Sequence, residues 1–491
     1  MILRKLATII CLLLPFIWAD EVLISNYTNL VCRGMYSKDD WGGKTDPHIS
    51  FNIKSIDKDQ AGVAVAIIEW RDFEFLGVEK DHVNYLYCND RAISKGVCEE
   101  SEKDHLILRN QIYDPEKGEN VTSRNQLMEF VMTDVGKYEK PYPVKNTGYY
   151  CVYAHIPNGN FKGFVEFRNA FGHLPAAEIN LLPLYGLLSI AYVVAMALYS
   201  FTVWKNKHEL LLLQKYLLAF FIFLSIDTIF IWSYYDIKNE KGQTPGTNAL
   251  MVFISILSAA KLSFSFFLLL VVGLGYGIVY PKLNRKLMRR IQYFTVLNFV
   301  VSAAFLIQAY MTDPESTSML PLITIIPAIA SVMGFYFMIL RSLSHTLQYL
   351  QEQRQVVKLK MYKEFLAVIY ISLAVIMAGI AITTFMMLSM STDEMVEQYW
   401  KTRFIMDIWP SIVYYCVFVT LAFLWRPTET SYMLACSQQL PTDPENATEF
   451  DLDDLHTLGD ETYNAQDHDD DLNFSDDEHN RRAEYTPTTS K

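Results

Sequence analysis

Hydrophobic and polar positions divide the chain into stretches of different period. Between residues 20 and about 170 they alternate. Ile49, Phe51 and Ile53 are separated by Ser50, Asn52 and Lys54, and Val63, Val65 and Ile67 by small neighbours. Leu106 to Ile112, Leu127 to Met132, Tyr149 to Ala154 and Phe161 to Phe167 are further β-prone runs, parted by Gly, Pro, Asn and Asp. A period of two in short runs with turn residues between them predicts an antiparallel, all-β sandwich.

Beyond Leu181 the alternation gives way to seven long apolar runs: Leu181 to Trp204, Leu210 to Tyr234, Ala249 to Val279, Ile291 to Tyr310, Met319 to Leu340, Phe365 to Leu388 and Phe404 to Trp425. Each offers roughly the 20 residues a helix needs to cross a bilayer. A helix satisfies its own backbone there, so a seven-transmembrane α-helical bundle is predicted. From Pro427 onward apolar density falls and Asp, Glu, Asn, Thr and Ser take over, a composition that buries no core and predicts a disordered tail. The leader has three parts: Arg4 and Lys5, an apolar run from Leu6 to Trp18, and Ala19 at a plausible cleavage position. The expected organisation is therefore a signal peptide at 1–19, a lumenal sandwich at 20–175, a bundle at 176–426 and an acidic cytosolic tail at 427–491.

Charge adds sidedness. The formal net charge of −12 belongs to the tail, where 17 Asp/Glu stand against 3 Lys/Arg. No basic stripe outside the membrane-flanking loops suggests a nucleic-acid surface. With the amino terminus in the lumen, the cytosolic links carry Lys205, Lys207, Lys282, Arg285, Lys286, Arg289, Arg290, Arg341, Arg354, Lys358, Lys360 and Lys363. The lumenal links carry only Lys238, Lys241, Lys401 and Arg403. That bias fits the positive-inside rule and agrees with the leader. Asn26 and Asn120 then occupy lumenal N-glycosylation sequons. Ser475, followed by Asp476, Asp477 and Glu478, is a candidate for acidic-directed phosphorylation in the tail.

Cys32, Cys88, Cys98 and Cys151 precede the first span. Four cysteines in a secreted domain allow three pairings, of which Cys88–Cys98 as a local staple and Cys32–Cys151 as a long tie are expected. No metal spacing, cofactor loop or nucleophile–base pair appears, so neither an enzyme nor a cofactor is expected. The loop from Met35 to Gly43 places Trp41 among polar residues. Trp41 is either a recognition residue or a ring packed beneath a Gly-turned strand entry.

Ionisable residues inside spans are costly, roughly 2.5–3.5 kcal/mol each at the centre on insertion scales. Asp227 lies deep in the second run, Lys261 near the middle of the third and Asp407 inside the lumenal end of the seventh. The three are candidates to face one polar cavity, the alternative being a structural ion pair with Asp407 reaching the interface. The third run ends without D-R-Y and the seventh has Asp407-Ile408-Trp409-Pro410 in place of N-P-x-x-Y, so rhodopsin-like signalling is not expected.

Three segments carry a resemblance: Phe167 to Glu178 followed by Leu182-Pro183-Leu184-Tyr185-Gly186; Cys32-Arg33-Gly34-Met35-Tyr36; and Gly275-Tyr276-Gly277-Ile278-Val279-Tyr280-Pro281. Together they resemble the lung seven-transmembrane receptor, or GOLD-domain seven-transmembrane (GOST), family and its fungal, PTM-type members. The resemblance implies a GOLD-like sandwich on a bundle similar to that of Wntless, in Golgi, endosomal or vacuolar membranes. It also implies a trafficking role. The expected function is a sorting receptor or chaperone for membrane or lipid-linked cargo. Its expected partners are membrane lipids, lumenal or membrane cargo proteins, and cytosolic adaptors bound through the tail. An ion channel or lipid transporter using the charged cavity is the alternative.

Overall fold

The computed structural model describes residues 22–427 except 44, 58–61, 115–117, 158, 209, 243, 277–278, 280–283, 312–319 and 391. The expected signal peptide, the tail beyond Pro427 and Ser475 lie outside the described residues.

The period-two runs form two antiparallel sheets. One contains β1 (Val22–Ser25), β13 (Phe161–Arg168) and β3 (His48–Ile56) in that order, with β10 (Gly136–Lys137) and β11 (Tyr142–Pro143) on the far edge of β3. The other has the order β2 (Leu30–Met35), β12 (Gly148–His155), β4 (Val63–Glu69), β9 (Met128–Met132). Ile49, Phe51 and Ile53 from the first sheet and Val63, Val65, Ile67 and Val152 from the second fill the space between them. Cys32 stands opposite Cys151 in the β2–β12 register, and the two form a disulfide.

Every residue of β4 is buried. The reason is a lobe spanning residues 70–127, with the hairpins β5 (Val78–Lys80)–β6 (Val83–Tyr85) and β7 (Gln111–Asp114)–β8 (Glu119–Thr122). Leu76, Tyr87 and Leu106 from this lobe cover the outer face of β4, where Ala64, Ala66 and Ile68 point. The small neighbours in that strand are thus a second, covered face. The lobe carries the Cys88–Cys98 disulfide just before and after a short helix. The run from Leu106 differs from its expected strand: Leu106 and Leu108 make only isolated bridges, to Tyr87 and Leu76, and regular pairing starts at Gln111. Covering β4 takes those side chains out of a ladder.

Two short helices, α1 (Lys38–Trp41) and α2 (Asp90–Ser94), lie in the sandwich domain, and seven long ones follow: α3 (Leu181–Lys205), α4 (Leu212–Lys241), α5 (Pro245–Gly273), α6 (Arg285–Met311), α7 (Leu320–Glu352), α8 (Val356–Ser389) and α9 (Thr392–Leu424). All seven are long and apolar enough to cross a membrane. Packing runs α3, α4, α5, α7, α8, α9 and back to α3, with α6 outside against α5 and α7. The chain stays helical beyond Leu340: α7 continues to Glu352 and α8 starts at Val356. The corner between them uses Arg354 at φ +51°.

The end of the bundle away from the sandwich is tightly closed. Leu343, Leu350, Tyr362 and Phe365 are at most 1% exposed, and Trp425 packs edge-on against Tyr362 and Phe365. A helix leaves its last carbonyls without intrahelical partners. Here Tyr362 donates to the Val272 carbonyl at 3.0 Å and Thr346 to that of Gly273 at 2.7 Å, which caps α5. The sandwich end differs. Past Ile369 no described side chain of α8 is buried.

Candidate functional site

Two features lie on the axis below the sandwich: a clamp where the domains meet, and a polar group at mid-depth in the bundle.

The clamp is built on the last turns of α4. Lys238 Nζ lies 2.7 Å from Glu178 Oε2, with the lysine side chain buried. The next residue, Asn239, donates to the Phe171 carbonyl at 2.9 Å and accepts from Leu174 N at 3.3 Å; its own carbonyl accepts from His173 N at 3.0 Å. Gly172 is required there. Its φ is +141°, and a Cβ on it would collide with Asn239. Asn169, 1% exposed, completes the link by accepting from Tyr36 N at 2.9 Å and donating to the Leu174 carbonyl at 3.3 Å.

Trp41 sits in the same junction. Its ring lies 4.9 Å from Phe171 and 5.1 Å from Tyr36, and Tyr36 in turn lies 5.3 Å from Trp400 of α9. Ser37 caps the single turn of α1 and Gly42 ends it in the left-handed region. Trp41 is nonetheless 39% exposed, so it packs on one face only. Gly34 is held by contact: a Cβ there would run into the Trp400 indole.

At mid-depth, Asp227 of α4 and Lys261 of α5 form an ion pair, Nζ to Oδ2, at 2.8 Å. The carboxylate is fully buried, whereas the lysine keeps 23% of its side-chain exposure. The ammonium also lies 5.8 Å from the Tyr414 ring centroid, a cation–π distance. Ser265 donates to the Lys261 carbonyl at 2.6 Å, so Tyr414 is the donor in its own 2.6 Å contact with Ser265. Among the described residues Asp227 Oδ1 is buried without a hydrogen-bond partner. A buried carboxylate oxygen left unpaired is costly, and a donor brought in from outside would relieve it.

Asp407 stands apart from this pair. It lies seven residues before Tyr414 on α9, about 10 Å nearer the sandwich. It is exposed, and it shares a face of α9 with Ser411 and Tyr414, four and seven residues on. Tyr185 meets Ser411 at 3.2 Å and stacks on Tyr235. Polar groups thus descend from Asp407 through Ser411 and Tyr414 to the Asp227–Lys261 pair.

A second buried polar set joins α5, α6 and α7. Asn298 donates to Ser263 at 2.7 Å and accepts from Ser331 at 2.8 Å, and all three are buried. Neither these residues nor the Glu178–Lys238 clamp carries a distinctive signal in the sequence. Uncharged polar residues are common in spans, and charges at span ends need no partner to be tolerated.

The sequon residues differ in their surroundings. Asn26 donates to the Gly159 carbonyl at 2.5 Å and accepts from Phe161 N at 3.3 Å, whereas Asn120 is exposed on β8.

Comparison with known proteins agrees with this architecture. A match to the family described as "GOST, seven transmembrane domain" covers residues 180–432, and one to "PTM1-like, N-terminal domain" covers residues 28–169. The chain is 53% identical over 485 residues to "Membrane protein PTM1" of Saccharomyces cerevisiae (strain YJM789), covering 96% of this chain and 93% of that one. It is 25% identical over 286 residues to human "Transmembrane protein 87B", covering 57% of this chain and 49% of that one. A sandwich clamped to seven spans, with family matches over both parts, makes this chain a member of the GOST seven-transmembrane family.

Proposed function

We propose that this protein is a sorting receptor or chaperone for membrane or lipid-linked cargo in Golgi, endosomal or vacuolar membranes. In this reading the sandwich is lumenal and the carboxyl terminus cytosolic. Support for the sidedness comes from the leader pattern and from the bias of basic residues toward the far-end links. Asn120, and Asn26 if modified before its amide is engaged, would carry glycans. The tail would recruit adaptors, with Ser475 as a charge switch. Trp41, half-exposed at the junction, would meet cargo beside the bundle mouth.

The observation that carries the reading is the contrast between a sealed far end and a sandwich end where α8 stays unburied, above a part-exposed Lys261. An apolar cargo chain entering from the lipid or the lumen would find exposed side chains of α8 on one side. It would find the Asp227–Lys261 pair at the bottom, with Asp227 Oδ1 free to accept from its polar head. Such recognition is non-enzymatic. To test it, purified full-length protein is scored for co-purifying lipids and lipidated peptides, with and without Asp227→Asn and Lys261→Met. Loss of retention in correctly trafficked variants is expected. Unchanged retention in both would sink the reading.

The mid-membrane ion pair also favours a second reading, conduction or small-molecule transport. Ion flux in proteoliposomes that Asp407→Ala abolishes would replace the cargo role with it. Protease treatment of sealed microsomes tests the sidedness: the tail should be cut and the sandwich spared.

A further inference from the structure

Helix α6 opens with Arg285, Lys286, Arg289 and Arg290 in its first six residues. That is the unfavourable end for cations, because the unsatisfied N–H groups give a helix N-terminus partial positive charge. Helix formation therefore does not explain them. All four are exposed, and among the described residues none has an acidic partner; Lys286 contributes only its backbone N–H, to Asn284 Oδ1 at 3.0 Å.

Their placement around the helix is informative. Ile291, Asn298 and Ser302 mark the buried face of α6. At about 100° per residue the four cations lie on the opposite side. They are in line with Tyr293, Val296, Leu297 and Val300, which are 75%, 53%, 54% and 41% exposed. Those exposed apolar side chains belong to a helix long and apolar enough to cross a membrane, so theirs is the face that acyl chains would cover. The same stripe runs without a break into the cations, which puts them at headgroup depth.

A neighbouring helix adds to the rim. The Phe294–Phe335 contact, 4.7 Å between centroids, and the Ser331–Asn298 hydrogen bond fix the antiparallel register of α6 and α7. In that register Arg341 stands level with Met288, and it too is exposed.

We propose that Arg285, Lys286, Arg289, Arg290 and Arg341 form a binding rim for the phosphate headgroup of an anionic phospholipid at the far end of the bundle. The occupant is a lipid rather than an acidic protein, because the adjoining turns present an exposed apolar face on a helix of membrane-spanning length. This reading is independent of any cargo role.

Full-length protein in detergent, supplied with equal phosphatidylcholine and phosphatidylserine or a multiply phosphorylated phosphoinositide, is examined by native mass spectrometry for retained lipid. The wild type is expected to hold the anionic lipid preferentially. Each lost cation should weaken retention about fivefold, so Arg289→Gln with Arg290→Gln should lose on the order of twentyfold. Lys205→Gln with Lys207→Gln removes the same charge from the same end, at α3, and should retain the preference. Basic residues also orient the chain, so protease protection is read on each variant. If the first pair misfolds or inverts, Arg285→Gln with Lys286→Gln gives the same readout. Equal retention by wild type and either α6 pair overturns the proposal. So does equal loss in the α3 control, or a wild type that binds polyglutamate but shows no preference among lipids.

Discussion

The two ends of the bundle are built from similarly apolar sequence and behave oppositely. At the far end, α7, α8 and α9 converge on Tyr362, Phe365 and Trp425, and hydroxyls from α7 and α8 cap α5. At the sandwich end, α8 contributes no buried side chain past Ile369 among those described, and the Lys238–Glu178 clamp ties α4 to the sandwich. Closure at one end comes from packing, which is spread over many contacts. Attachment at the other combines a few directional bonds with the packed rings of Tyr36, Trp41, Phe171 and Trp400. The part of the sandwich end that packing does not hold is α8.

The strongest way to break this contrast is at the sealed end. Phe365→Ala should destabilise the bundle by about 3–5 kcal/mol, because it empties a fully buried ring site; thermal unfolding in detergent reads it. Glu178→Gln comes next. It leaves the Lys238 ammonium without its counter-charge, at a cost of ~2 kcal/mol after allowance for the part-exposed carboxylate. Limited proteolysis should then cut within residues 169–180 while the far end stays protected. Tyr362→Phe removes only the hydroxyl that caps Val272 and should cost ~1 kcal/mol by the same unfolding measurement.

Smaller again is an effect confined to the sandwich. Burial, then the nearby Asp72 carboxylate, pushes the Glu69 carboxyl above its ordinary 4.5. A raised folded-state value means that protonation favours the fold, so this group's contribution falls as pH rises through the raised pKa. Glu69→Gln should therefore stabilise the domain at neutral pH and converge with the wild type in acid. Unfolding curves that stay parallel at all pH values would refute this. Last, Ile380→Ala on the loose half of α8 should shift stability by no more than ~0.5 kcal/mol. A large loss there would show that the sandwich end is packed after all.

Much of this was legible in the residues. Seven spans follow from length and apolarity, and Ile49, Phe51 and Ile53 announce a half-buried strand. Asp227 and Lys261 attract notice because a charge in hydrocarbon demands a partner, and the structure pairs them at 2.8 Å. What composition cannot convey is which apolar surface meets lipid and which meets another helix. The span containing α8 has the highest mean hydropathy of the seven, 2.7, and the least burial. Leucine facing acyl chains reads the same as leucine facing leucine. For the same reason the Asn298 set left no trace in the charge pattern. The double burial of β4 was half visible, since its alanines suggested small neighbours but not the lobe that covers them.

The sharp corner at Gln353 to Gln355 has a mechanical corollary. Helices α7 and α8 are rods of 33 and 34 residues, each about 50 Å long, sharing a foot in the sealed end. A rod pivoted at its base moves in proportion to height, so a 5° lean would carry its top by about 4 Å while the foot scarcely stirs. Three linking residues, with Arg354 already in a left-handed conformation, leave little slack to absorb that lean locally. Paired spin labels near residues 330 and 380 should therefore separate much farther than labels near 345 and 362 whenever the mouth is filled.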